Sequence, residues 1–133
     1  MNPCKALAKD WNMVNVLIVD DSLLAEHALK SYFEKLNHEV VGLAKTGEIG
    51  KDMFLNLQPD LITVDAVMPG MSGQDYVRFV NDFDKENGKQ TKIFMISGDE
   101  IPHTERETIR VDEYILKPVT KTKIQDALDR LEG

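Results

Sequence analysis

The sequence predicts an α/β fold: five strands alternating with helices, wound as a parallel sheet covered on both faces. Two observations carry this. Short runs rich in valine and isoleucine recur at 14–19, 39–44, 61–64, 92–96 and 114–116, and longer segments of helical period lie between them. The runs are continuous rather than alternating, the pattern of strands with both faces covered. Right-handed crossovers between parallel strands then place helices on the two sides of the sheet.

Each helical segment has its own signal. Leu24, Ala28, Tyr32 and Leu36 recur every four residues after the first run, and Ile124, Leu128 and Leu131 follow the fifth. Ser22, Thr46, Ser72 and Thr120 stand where N-caps are expected, and Ser72 and Asp75 have capping-box spacing. Two stretches fit less well. Residues 1–13 form an N-terminal extension in which Asn2, Pro3, Cys4, Leu7 and Trp11 match a short amphipathic helix. Between the fourth and fifth runs, Pro102 and a series of charged residues replace a clear apolar stripe, so that helix is expected to be short. Residues 14–133 are read as one domain.

Composition narrows the function. The chain has 133 residues with 16 Lys plus Arg against 23 Asp plus Glu, a net charge of −7, and 42% hydrophobic residues. That is one folded domain, too apolar for disorder. Its negative field and lack of a basic cluster argue against direct nucleic-acid binding. The single cysteine forms no internal disulfide, the N-terminus lacks the basic and apolar regions of a signal peptide, and no apolar stretch spans a membrane. A cytoplasmic location with no membrane partner is the expectation. His27, His38 and His103 lie away from the strand ends and are read as solvated surface residues.

An open parallel sheet binds ligands beyond the carboxyl ends of its strands. The residues there are Asp20 and Asp21 after the first run, Asp65 after the third, Ser97 after the fourth, and Lys117 with Pro118 after the fifth. Each has an ordinary role open to it, in a cap, a turn or an ion pair; their joint placement at four strand ends is what chance capping does not explain. Three close carboxylates remain ionised together only if a cation holds them. An oxygen-only set of this kind suits Mg²⁺, and no Cys/His cluster points to zinc. A carboxylate can accept a phosphoryl group as nucleophile while Lys117 neutralises the developing charge. Asp65 stands alone on the central strand and is the candidate; Asp20 and Asp21 are placed for the metal, and Ser97 for a phosphoryl oxygen.

The segments Val16-Leu17-Ile18-Val19-Asp20-Asp21-Ser22, Leu61 to Gly73 with its Asp65 and Met68-Pro69-Gly70, Met95-Ile96-Ser97-Gly98 and Tyr114-Ile115-Leu116-Lys117-Pro118 together resemble the receiver domain of bacterial two-component response regulators. The resemblance implies a flavodoxin-like (βα)5 fold with strand order 2-1-3-4-5. It implies that Asp65 accepts a phosphoryl group from a sensor histidine kinase or phosphotransfer protein. Mg²⁺ would be held by Asp21, Asp65 and the backbone carbonyl of Val67, with Asp20 joining through water. Ser97 and Tyr114 would form the switch pair, Lys117 would contact phosphoryl oxygens, and the Lys117–Pro118 bond would be cis. The implied output is a changed binding face for a downstream protein, not an enzymatic product. One departure is that Arg110-Val111 stands where the family carries a small Gly-Ala step. Two other functions share parts of this residue set. A haloacid-dehalogenase-type phosphatase expects a second acid where Val67 stands. A degenerate receiver serving as a constitutive interaction module sits poorly with an intact acid set.

Overall fold

The computed structural model describes residues 12–98 and 108–132. The expected N-terminal helix and most of the expected helix between the fourth and fifth strands, His103 included, lie outside these residues. Five parallel strands are present: β1 (Asn15–Val19), β2 (Glu39–Ala44), β3 (Leu61–Asp65), β4 (Lys92–Ser97) and β5 (Glu113–Leu116). Among the described residues the helices are α1 (Leu23–Lys35), α2 (Gly47–Leu57), α3 (Gly73–Asn87) and α4 (Lys121–Glu132). The sheet order is β2-β1-β3-β4-β5, as expected. The chain winds outward from β1 to β2, then returns past β1 to build β3, β4 and β5. The reversal leaves a crevice between the carboxyl ends of β1 and β3.

Two cores hold the layers together. On one face Leu17, Val19, Ile62, Val64 and Met95 pack against Phe54 of α2 and Tyr76, Val77 and Val80 of α3. On the other, Val16, Ile18, Leu61, Phe94 and Ile96 pack against Leu29 and Phe33 of α1 and Ile124, Ala127 and Leu128 of α4. β3, in the middle, is buried along its whole length, which is why it reads as a continuous apolar run.

The four expected caps all form. The Ser22, Thr46, Ser72 and Thr120 hydroxyls accept backbone N–H groups of Ala25, Ile49, Asp75 and Lys123 at 3.1 to 3.2 Å. The Asp75 carboxylate turns instead to Arg78, 3.1 Å away.

Two sequence expectations need correction. The buried face of α1 is Glu26, Leu29 and Phe33, not the Leu24, Ala28, Tyr32, Leu36 stripe. Leu24 is 83% exposed, while Tyr32 and Leu36 pack only at the edge of the core. The polar Glu26 occupies a core-facing position, so apolar periodicity picked a row about 100° away. Burial raises the Glu26 carboxyl above its ordinary pKa, and nearby Lys45 opposes this. His38 is also no surface residue. It is buried, and its Nδ1 accepts the Val14 N–H at 3.1 Å.

Candidate functional site

The site is made by strand ends. β1 stops at Val19, and the Asp20 N–H donates to the Ala44 carbonyl at 2.9 Å, fixing the first acid beside β2. Asp20 is buried, and its Oδ1 accepts the Ser22 N–H at 2.9 Å, a local turn that leads into the α1 cap. Asp21 is exposed at the mouth. Asp65 is the last residue of β3 and is buried, with Oδ1 accepting the Val67 N–H at 3.1 Å. One carboxylate oxygen from each of Asp20, Asp21 and Asp65 lies within 4.8 Å of the others. The three acids placed together on sequence grounds are therefore one cluster.

The opposing charge comes from the β5 end. Lys117 Nζ stands 3.5 Å from Asp65 Oδ2. Its backbone N–H donates to the Ser97 carbonyl at 2.8 Å, tying the lysine to the end of β4. The Lys117–Pro118 peptide is cis. Ser97 closes β4 and is buried, one residue beyond the position that pairs with Asp65. Tyr114 lies outside the acid cluster, opposite Met95 on β4. It packs against the α2/α3-side core. With a two-residue period, Ile93, Met95 and Ser97 share that same face, so Ser97 and Tyr114 are on one side of adjacent strands. Val67 presents its N–H to Asp65, and its side chain is 78% exposed.

Electrostatics distinguish the three acids. Burial pushes the Asp20 carboxyl up to about 6; the Ser22 N–H and Lys117 work against this, and the Asp65 and Asp21 charges add to it. Three carboxylates thus crowd against Lys117, and their donor set is oxygen alone. That chemistry fits a hard divalent cation such as Mg²⁺.

Several positioning residues carry no chemical signature and escape a search for reactive groups. Gly73 starts α3 so close to β3 that a Cβ there would fall 2.4 Å from the Asp65 carbonyl oxygen. A Cβ on Gly47 would fall 2.8 Å from the Met71 side chain. The fully buried Tyr76 donates its hydroxyl to the Gly50 carbonyl at 2.9 Å, clasping α3 to α2, and burial raises its pKa. Beside the acids, a groove of about 270 Å³ runs between Ser22, Leu24 and Ala28 of the α1 region and Lys117, Pro118 and Val119.

The profile of the response regulator receiver domain family matches residues 16–129. The chain belongs to that family. It is 30% identical to Protein CcdB of Bacillus subtilis over 123 residues, covering 91% of this chain and 99% of that one. It is also 30% identical to Chemotaxis protein CheY of Thermotoga maritima over 118 residues, covering 87% and 95%. Among solved structures, the CheX-CheY-BeF3-Mg²⁺ complex from Borrelia burgdorferi contains a chain 27% identical to this receiver. That match has a TM-score of 0.80 and covers 90% of this chain and 89% of that one. The receiver is thus a two-component signalling domain. No helix among the described residues is long and apolar enough to cross a membrane.

Proposed function

We propose that this receiver is a phosphorylation-controlled switch in which Asp65 is the phosphoacceptor. The observation that carries it is the cluster of Asp20, Asp21 and Asp65 with Lys117 Nζ 3.5 Å from Asp65. A carboxylate oxygen of Asp65 forms a P–O bond as the P–N bond of a phosphohistidine breaks, and the electron pair leaves on the imidazole. Lys117 and the Ser97 hydroxyl serve the phosphoryl oxygens where charge develops. Asp20, Asp21, Asp65 and the Val67 carbonyl are the residues that would hold Mg²⁺, which when bound neutralises phosphoryl charge. The phosphodonor is a sensor histidine kinase or phosphotransfer protein. Exposed Leu23, Leu24 and Val67 around the site, with the adjoining groove, offer it an apolar rim.

Once phosphorylated, Asp65 carries an added charge of roughly −1.5 to −2. The Ser97 hydroxyl follows the phosphoryl group, the Tyr114 ring repacks with it on the same face, and the surface along β5 and α4 presents a new state to a downstream protein. Residues 14–133 form the receiver, 1–13 an extension, and the setting is cytoplasmic. The chain's own catalysis stops at accepting and releasing one phosphoryl group.

Incubation with Mg²⁺ and acetyl phosphate tests this. The expected result is an added phosphoryl mass that is stable in acid, labile in base, and abolished by Asp65→Asn or by chelating the metal. No modification, or one indifferent to Asp65→Asn, overturns the switch. Rapid catalytic consumption of the donor would point to a phosphatase instead.

A further inference from the structure

At the amino-terminal ends of β4 and β5, on the far side of the sheet from Asp65, Arg110 is the hub of a dense polar node. Its Nη2 donates to Asp84 Oδ2 at 3.2 Å and to the Thr91 carbonyl at 3.0 Å, and its Nη1 donates to Asp112 Oδ2 at 3.0 Å. Its backbone is held as well. The Arg110 N–H donates to Asn81 Oδ1 at 2.7 Å, and the Asn81 amide donates back to the Arg110 carbonyl at 3.2 Å. Asp84 is buried and also accepts the Thr91 N–H at 2.7 Å and the Thr91 hydroxyl at 3.0 Å. Asp112 accepts the Ile93 N–H at 2.8 Å and returns its own N–H to the Ile93 carbonyl at 2.9 Å. One side chain therefore joins α3, the start of β4 and the entry to β5.

β5 has particular need of such an anchor. It is an edge strand of four residues, and among the described residues it pairs with β4 alone. A strand so short and bonded on one side has few ladder bonds to fix its position along its own axis. Its exit end is held by the Lys117 N–H on the Ser97 carbonyl, and by Lys123 Nζ on the carbonyls of Leu116 and Pro118 at 2.9 Å. Its entry end is held by the Arg110 node. The strand between these anchors leads directly into Lys117, whose Nζ stands 3.5 Å from Asp65 Oδ2.

We propose that Arg110 is a positioning residue for phosphoryl transfer, acting through β5 on Lys117 from about 20 Å along the chain at ~3.3 Å per residue. The inference rests on Asp65 being the phosphoacceptor. The guanidinium's planar fork serves Asp112 from Nη1 and Asp84 with the Thr91 carbonyl from Nη2, whereas an ammonium has a single nitrogen to place among them.

The test uses the full chain with acetyl phosphate at saturating Mg²⁺, following the rate of Asp65 phosphorylation, Mg²⁺ affinity by calorimetry, and melting temperature. Arg110→Ala is expected to slow phosphorylation about tenfold while Mg²⁺ affinity changes by less than roughly twofold, since the acids sit on β1 and β3. In a Lys117→Ala background, Arg110→Ala is expected to have no further effect on the rate. Asn81→Ala, which frees only the Arg110 backbone, gives the same pattern in weaker form and serves if Arg110→Ala does not fold. A lowered melting temperature with an unchanged rate overturns the proposal, as does equal loss of rate and Mg²⁺ affinity, or an undiminished effect without Lys117. A wild-type chain that takes no phosphoryl group overturns the phosphoacceptor reading as well, so the two failures are distinguishable.

Discussion

The two ends of the sheet treat their acids in opposite ways. At the amino-terminal end, Asp84 has Arg110 and Thr91, Asp112 has Arg110, the Ile93 N–H and Lys92 at 3.8 Å, and Asp60 accepts the Asn15 N–H at 2.8 Å. At the carboxyl-terminal end, Asp20, Asp21 and Asp65 crowd within 4.8 Å, and the cation bridging to them is Lys117, 3.5 Å from Asp65. A compensated carboxylate holds elements together; an under-compensated cluster stores repulsion that a bound cation relieves. The same residue type therefore serves architecture at one edge and chemistry at the other.

Removing acids should separate the two ends by sign. Asp84→Ala leaves Arg110 and the Thr91 donors without their buried acceptor and is expected to cost about 3 kcal/mol, read from denaturant midpoints. Asp20→Asn should do the reverse without metal, raising stability by about 1–2 kcal/mol, because an amide still accepts the Ser22 N–H without a buried charge. The same change should weaken the response to Mg²⁺. A fall in metal-free stability for Asp20→Asn would erase the contrast.

The pH dependence follows from the same group. Asp20 titrates at about 6 in the fold against an ordinary value of 3.8, so the folded state binds more protons between these values. Its ionisation lowers stability as pH rises from about 4 to about 6, and the full cost is present above 6. Metal-free protein is expected to gain stability on going from pH 7 to pH 5 relative to Asp20→Asn, and saturating Mg²⁺ should flatten that difference. Calorimetric melts of both proteins at the two pH values read it directly.

Smaller effects sharpen how the carboxyl-terminal end is built. Gly73→Ala puts a methyl 2.4 Å from the Asp65 carbonyl oxygen and 2.7 Å from Ala66 Cα. Both are backbone atoms with little freedom to yield. A cost of about 1–2 kcal/mol is expected, with slower phosphorylation because the loop after Asp65 shifts. Leu24→Ser should change stability by less than ~0.5 kcal/mol, since the side chain is 83% exposed. It should leave acetyl phosphate labelling unchanged and slow transfer from a phosphohistidine protein. Equal slowing with both donors would remove Leu24 from the docking rim.

How legible each end was in the sequence follows from the same contrast. The strands and the acids at their ends could be read because burial on both faces makes continuous apolar runs, and because site residues follow those runs directly. Asp65 and Ser97 proved to be the last residues of their strands. The amino-terminal node was illegible: Arg110 and Asp84 are 26 residues apart and meet only through packing of α3 beside β4 and β5. The α1 face was misread because Glu26 is buried where periodicity expects an apolar residue, and Leu24 is exposed where it expects core. His38 was misread because its role is to accept one backbone N–H, which leaves no local pattern.

The most direct test of the account is to locate the phosphoryl group chemically. Protein treated with acetyl phosphate and Mg²⁺ is reduced with borohydride, which converts an aspartyl phosphate to homoserine, and peptides are sequenced by mass spectrometry. Homoserine is expected at position 65, with no conversion at positions 20 or 21. Conversion at either of those acids, or at none of the three, would contradict it.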